Sequence, residues 1–212
     1  MMLKKVFAAV FAAIGLVTAA LAVFIGMNFT DRAPTLLTPP TVARSKVVAM
    51  MDAVSEGNYA EAGKNILGNP DLGVDREPAD RVGALIWNAF QESISFELVG
   101  ECYTTEDGLA QNVSFTCLNI ESVTVNLKER SQALLEKRVD EAEDTSDIYD
   151  ENNDYREDFV MEVLYDAAVQ ALEEDAVEKT VELTIKLSYA DGSWWVVADT
   201  ALLDAISGGI LY

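Results

Sequence analysis

Three stretches of the chain carry apolar residues at the spacing of a helix. In the first, positions i, i+3, i+4 and i+7 form one stripe of Val47, Met50, Met51 and Val54. This period indicates an amphipathic helix over about residues 44–56. The same pattern predicts helices over about 59–67, after the capping residue Asn58, and over about 80–92. Three helices are therefore expected to open the domain.

Further along, the apolar period changes from that of a helix to that of a strand. Alternation from Phe96 to Tyr103 predicts a strand, and a second strand is expected over about 112–125, with a bulge near Cys117. The helical period then returns over about 127–140 and over about 153–174. We interpret the whole stretch 127–175 as a helical insertion between strands.

The last strand pair is the clearest element of the sequence. Residues 181–189 alternate between apolar and polar, Asp191 and Gly192 are typical of a type I′ turn, and a return strand follows over 194–198. With the turn centred there, the expected cross-strand partners are Tyr189 with Trp194, Leu187 with Val196, and Ile185 with Ala198. This succession of helices and antiparallel strands predicts an α+β fold.

A long apolar segment precedes these elements. Residues 6–27 carry no charge, and Lys4 and Lys5 lie just before them. As a helix, 22 residues span about 33 Å, enough for a bilayer core of roughly 30 Å. Because positive charge stays on the cytoplasmic side, we predict a signal anchor over 1–28. The chain is then a single-pass protein of the cell membrane with a cytoplasmic N-terminus.

The residues after the apolar segment are expected to lie outside the cell. Residues 29–43 contain three prolines, which favour a stiff tether, and residues 44–212 form the extracellular domain. The alternative is a cleaved signal peptide, since Ala20-Leu21-Ala22 is a small-x-small site. Cleavage there would leave the apolar residues 23–27 at the new N-terminus, so the anchor is favoured.

The charge of the chain restricts its partners. All 36 acidic residues and 13 of the 15 basic ones follow the apolar segment, which leaves this part with a net charge of −23. Nucleic acid is excluded as a main partner because phosphate contacts require an excess of Lys and Arg. Histidine is absent, which removes the commonest general base near neutral pH and a common metal ligand. No cofactor is predicted.

Two further features were weighed as sites. Residues 150–154 begin like a calcium loop, but Tyr155 stands where glycine is needed and Met161 where glutamate is needed. We therefore expect a solvated acidic linker, within a stretch of ten acidic residues and one arginine over 140–158. Cys102 and Cys117 could form a disulfide. The expected strand register separates their sulfurs, which favours two buried free thiols.

Two short motifs carry a family resemblance. A helix that ends in glycine and continues as Asn-Tyr-x-x-Ala, within 55–62, resembles the opening of NTF2-like domains. The Asp-Gly-x-Trp hairpin at 191–194 is similar to the end of their sheet. Overall the chain resembles membrane-anchored NTF2-like proteins of unknown function from Gram-positive bacteria. The resemblance implies helices packed on a curved antiparallel sheet around a cone-shaped pocket, with 127–175 as an insertion.

The functional prediction follows from this resemblance and from the last hairpin. We expect a non-catalytic module at the cell surface that binds a small ligand or docks an envelope protein. The alternatives are an enzyme of the same fold with a buried Asp or Glu, and a purely structural surface protein. Trp195 and Val197 share the polar face of the hairpin, so they are the predicted partner contact.

Overall fold

The architecture is α+β, with one antiparallel sheet, as predicted. The computed structural model describes residues 39–72, 78 and 80–209, which form six α-helices, one 3₁₀ helix and four strands. In chain order these are α1 (Pro39–Ser55), α2 (Tyr59–Gly63), α3 (Arg81–Ser93), β1 (Ser95–Thr105), β2 (Gly108–Leu118), α4 (Ile120–Glu141), the 3₁₀ helix (Thr145–Asp147), α5 (Glu157–Glu174), β3 (Glu178–Ala190), β4 (Ser193–Val197) and α6 (Thr200–Ile206).

The four strands follow one another in the sheet in the order β1-β2-β3-β4, and each pair is antiparallel. Because side chains alternate along a strand, each position belongs to one of two faces. The inner face carries the apolar residues Val113, Phe115, Leu183, Ile185, Leu187 and Val196, all buried. The outer face carries mainly polar residues, such as Asn112, Glu182, Thr184 and Lys186.

The predicted stripe of the first helix is confirmed. Val47, Met50, Met51 and Val54 are completely buried and belong to one core cluster with the inner face of the sheet. Burial of one such side chain stabilises the fold by about 1.5–3 kcal/mol. Helix α3 also matches its prediction, and the carboxylate of Asp80 caps it by accepting hydrogen bonds from the amides of Val82 and Gly83 at 2.9 and 2.8 Å.

Helix α1 begins earlier than the sequence predicted. Its first residue is Pro39 rather than residue 44, so the tether predicted for 29–43 overlaps the helix by five residues. Proline is tolerated in the first turn of a helix, because its missing N–H would have no partner inside the helix. The two prolines at 39 and 40 therefore start a helix here instead of preventing one.

Helix α2 is shorter than its prediction of 59–67. It ends at Gly63, and residues 65–67 run beside the edge strand β4. The amide of Leu67 donates to the carbonyl of Val196 at 2.8 Å, and the amide of Val196 donates to Asn65 at 3.0 Å. These bonds pair the backbone N–H and C=O of Val196 on the free edge of β4 with residues of the same chain. They therefore lower the tendency of this edge to pair with a strand of another protein.

The bulge lies on a different strand from the one predicted. Strand β2 is regular at Cys117, whereas the register of β1 shifts between Val99 and Tyr103. Gly100 lies in this shift with a φ of +68°, a conformation that strongly favours glycine. Arg44 of α1 donates to the carbonyl of Gly100 at 3.3 Å, so the irregular part of β1 is tied to the first helix.

The helical insertion is present, but it begins earlier than predicted. Strand β2 ends at Leu118 rather than near residue 125, and α4 starts at Ile120, where Asn119 caps it by accepting from the amide of Ser122 at 3.5 Å. Helices α4 and α5 pack on each other, and α5 also packs on α3. The buried face of α5 consists of Val163, Ala167, Ala168 and Ala171. These small side chains allow the helices to approach closely.

The predicted membrane segment at 6–27 and most of the tether lie outside the described residues. In the part of the chain that the structure describes, no helix combines the length and the apolar character needed to cross a bilayer.

Candidate functional site

The last hairpin has the geometry that the sequence predicted. Asp191 and Gly192 both have positive φ, +51° and +77°, as a type I′ turn requires. The observed pairs include Tyr189 with Trp194 and Leu187 with Val196. The predicted pair of Ile185 with Ala198 is not formed, because β4 ends at Val197 and Asp199 already caps α6.

The two adjacent tryptophans lie on opposite faces of β4. Trp194 is in the core, with 7% of its surface exposed, and its ring packs edge-to-face with that of Tyr189 at a centroid distance of 5.3 Å. Trp195 is half-buried on the outer face, where its indole N–H donates to the carbonyl of Ala190 at 3.0 Å. The ammonium group of Lys46, from α1, lies 5.3 Å from the ring centre of Trp195.

An alternative to an exposed Trp195 is that the helical stretch 127–175 covers it. Helix α5 packs on α3, and the partners of Trp195 are Lys46 and the hairpin backbone. Val197 is also half-buried and pairs with Lys186. Both predicted contact residues are thus on the outer face, and each retains some exposed surface.

The predicted pair of residues belongs to a larger set on the outer face. Pairing across the four strands makes direct neighbours of Tyr103, Ala110, Lys186 and Val197, with Trp195 at the edge. We call these five residues the outer strip. Tyr103 is 43% exposed. Lys186 was predicted to share a face with Val197, whereas Tyr103 was not identified because its alignment depends on the bulge in β1.

A network of polar side chains fixes the outer face next to the strip. The side-chain oxygen of Asn112 accepts hydrogen bonds from the hydroxyl of Thr184 at 3.0 Å and from that of Tyr103 at 3.3 Å. Thr116 and Thr180 bond to each other at 2.9 Å. The bonds of Asn112 link three strands and hold the ring of Tyr103 in a defined position.

Among the described residues, the buried polar side chains are Asn65, Gln111 and Ser207. Gln111 lies opposite the bulge and donates to the carbonyls of Val99 at 3.2 Å and Asn112 at 2.9 Å. An amide in this position has no titratable proton. Asp204 of α6 is half-buried, and its Oδ1 is enclosed without a hydrogen-bond partner in the described structure, so the alternative of an enzyme with a buried Asp or Glu stays a prediction.

Both cysteines are buried free thiols, as expected. Cys102 lies in the bulge of β1, and Cys117 on β2 pairs with Lys179. The predicted register was wrong for both residues, since Cys102 was expected opposite Asn112 or Val113 and Cys117 opposite Glu97 or Leu98. Burial raises the pKa of both thiols, which makes them poor nucleophiles near neutral pH.

The stretch between the 3₁₀ helix and α5 forms a compact loop. The carboxylate of Asp150 accepts hydrogen bonds from the amides of Asn152 and Asp154 at 2.8 and 2.9 Å. The bond from Asp154 is the main reason why the pKa of Asp150 is lowered. The rings of Tyr149 and Tyr155 stack at 5.1 Å, and Tyr155 stacks on Phe159 at 6.2 Å.

This loop borders an open groove of about 660 Å³. The lining residues are Asp150, Tyr155, Arg156, Glu157, Asp158 and Met161. The guanidinium of Arg156 binds both oxygens of Asp158 at 3.2 and 3.3 Å, which lowers the pKa of that carboxyl. Within the described residues, no cluster of three or more Cys, Asp or Glu could hold a metal ion.

The sequence predicted a solvated acidic linker for this stretch, after comparison with a calcium loop, and not an ordered groove. The signal that could have indicated it is the recurrence of three aromatic residues, Tyr149, Tyr155 and Phe159, in an otherwise polar segment. Acidic residues Glu157 and Asp158 do occupy the first turn of α5, where they complement the positive end of the helix dipole.

Comparison of the chain with known protein families, with curated proteins and with solved structures gave no match. The resemblance to NTF2-like domains therefore remains a prediction from the two sequence motifs.

Proposed function

We propose that this protein is a non-catalytic module of the cell surface that docks another envelope protein through the outer strip. The observation that carries the proposal is the position of Trp195. It belongs to the solvent-facing side of the sheet, beside Val197 and in the same face as Tyr103. Tryptophan and tyrosine are enriched among the residues that dominate binding energy at protein interfaces.

The rest of the proposal concerns location and fold. Residues 6–27 anchor the protein in the membrane, and the domain lies outside the cell. The fold is NTF2-like, with the opening helices and the antiparallel strands as its common part and the helix pair α4–α5 as its insertion. The order of three helices followed by antiparallel strands supports this assignment.

Photo-crosslinking in intact cells tests the docking surface. The full-length chain carries Val197→p-benzoylphenylalanine, and irradiation should produce a covalent adduct with one protein. Adding Trp195→Ala should remove the adduct, because the aromatic contact is lost. The matched control carries the same photoreactive residue in place of Glu92, an exposed residue of α3, and should give no adduct. No adduct at Val197, or an adduct that survives Trp195→Ala, contradicts the proposal.

Protease treatment of intact cells tests the location independently. External protease should remove the acidic domain and leave a short membrane fragment that contains residues 6–27. Recovery of the domain as a soluble protein that starts at Val23 would show cleavage and secretion instead.

A further inference from the structure

We propose that the envelope protein docks on the outer strip through an acidic segment, whose carboxylate pairs with Lys186. This partner chemistry rests on the docking function proposed above. Three features of the outer face support it. An apolar row extends beyond the outer strip, an unpaired ammonium group lies in the middle of that row, and a second ammonium group lies beside Trp195.

Leu67 extends the row of residues that crosses the outer face. The segment before it forms a parallel bridge with β4, in which Ile66 lies opposite Val196 and both side chains are buried. Because side chains alternate between the two faces, the next residue of each segment belongs to the outer face, and Leu67 comes into register with Val197. Leu67 is 43% exposed, as is Tyr103 at the other end of the row. The row therefore crosses five backbone segments, about 19 Å at the usual strand spacing.

Lys186 lies in the middle of this row and has no acidic neighbour there. Its partners across the sheet are Ala110 and Val197, and the residues before and after it on the same face are Thr184 and Ser188. Within the described residues, Lys186 forms no ion pair. A partner that covers the row must take this ammonium group out of water, which is costly unless an anion pairs with it. The partner is therefore expected to supply a carboxylate at this point.

Lys46 places a second ammonium group next to the strip. It lies 5.3 Å from the ring centre of Trp195, and in the part of the chain that the structure describes it also forms no ion pair. Trp195 is the diagonal neighbour of Lys186 across β3 and β4, a separation of about 7–8 Å. The two ammonium groups thus flank one indole ring, so a single acidic segment that passes over the ring can reach both.

The charge of the remaining domain favours this docking position. The part of the chain after the apolar segment has a net charge of −23, so the domain as a whole repels an acidic segment. Two unpaired lysines beside exposed apolar side chains are a local exception, and such electrostatic complementarity fixes the position and register of a partner. A second copy of the chain fits less well, because two domains with the same high negative charge repel each other.

Photo-crosslinking in intact cells tests the charge pair on the full-length chain that carries Val197→p-benzoylphenylalanine. Lys186→Gln should lower the yield of the adduct at least about fivefold, because the partner carboxylate loses its counter-charge. Lys186→Arg keeps the charge and should retain most of the adduct. The matched control is Lys128→Gln, which removes the same charge from an exposed position of α4 and should change the yield less than about twofold.

An exchange of charges identifies the partner side chain. Mass spectrometry of the adduct should locate the crosslink beside an Asp or Glu of the partner protein. Replacement of that residue by Lys should abolish the adduct of the parent chain, and Lys186→Glu should restore it. Restoration requires a folded domain, so a loss of the fold cannot imitate it.

The outcomes separate the acidic partner from the docking function. A normal adduct in Lys186→Gln, a crosslinked segment without an acidic residue, or a charge exchange that restores nothing would overturn the acidic partner and leave the docking surface intact. An adduct with a second copy of the chain would show self-association instead. Absence of any adduct in the parent would contradict the docking function itself, and the acidic partner with it.

Discussion

The ammonium nitrogen of Lys46 lies 5.3 Å from the ring centre of Trp195, so a residue of α1 reaches an aromatic side chain on the edge strand β4. The same helix holds the opposite edge of the sheet through the bond from Arg44 to Gly100. Helix α1 thus contacts both edge strands of the sheet, and its Lys46 packs on Trp195 at the border of the outer strip.

The two tryptophans should differ strongly in their contribution to stability. Trp194→Ala leaves a cavity in the core and should lower the free energy of unfolding by about 3–5 kcal/mol. Trp195→Ala removes a half-exposed ring and one cation–π contact, with an expected loss of about 1 kcal/mol. Urea denaturation measures both values. Trp194→Phe serves as a control and should lose less than Trp194→Ala, because the indole N–H of Trp194 has no hydrogen-bond partner in the described structure.

Arg130 should hold the helical insertion together. Its guanidinium bonds to Asp175 at 2.6 Å and to Gln170 at 3.3 Å, and it forms an ion pair with Glu174 at 2.7 Å. Arg130→Leu should therefore lower the urea concentration at the midpoint of unfolding, and added salt should reduce the difference from the parent. Lys128→Leu, on the exposed side of α4, is the control. Similar losses from both variants would argue against a specific role of Arg130.

Asp150 should make the order of its loop depend on pH. The backbone amide of Asp154 lowers the pKa of the Asp150 carboxyl, because the charged form accepts its hydrogen bond. The ionised carboxylate therefore stabilises the folded loop fully above the ordinary Asp pKa of about 3.9. This stabilisation is lost as the pH falls through the lower pKa of the folded state. The NMR amide signals of Asn152 and Asp154 should then titrate with a midpoint below about 3.9. Asp150→Asn has no charge to lose and should remove this titration. A midpoint above the ordinary value would contradict the arrangement.

The two thiols should be protected in the folded protein. Both are buried, and burial raises the pKa of each, so the reactive thiolate is scarce near neutral pH. Reaction with a disulfide reagent at pH 8 should be slower by about tenfold or more than in urea, where both thiols react. Fast reaction of one thiol in the native state would show that the bulge around Cys102 opens readily.

Much of the fold could be predicted from the chain because periodicity is a local property. The alternation through 181–189 and the Asp191-Gly192 turn fixed the pairing of Tyr189 with Trp194, and with it the opposite faces of the two tryptophans. The helical stripe of α1 was identified in the same way. In each case, the residues that determine the outcome lie within a few positions of one another.

Only the tertiary structure decided the junctions and the candidate sites. Residues 120–125 include β-branched side chains and were predicted as strand, yet they form the start of α4, where Val123 is completely buried while Val125 is 51% exposed. The bulge in β1 contains Gly100 at a positive φ, and the carbonyl of Gly100 accepts a hydrogen bond from the distant Arg44. The sequence by itself determined which face each local segment presents. Which faces meet, and which residues from separate segments line the outer strip and the groove, depended on long-range packing that no local pattern encodes.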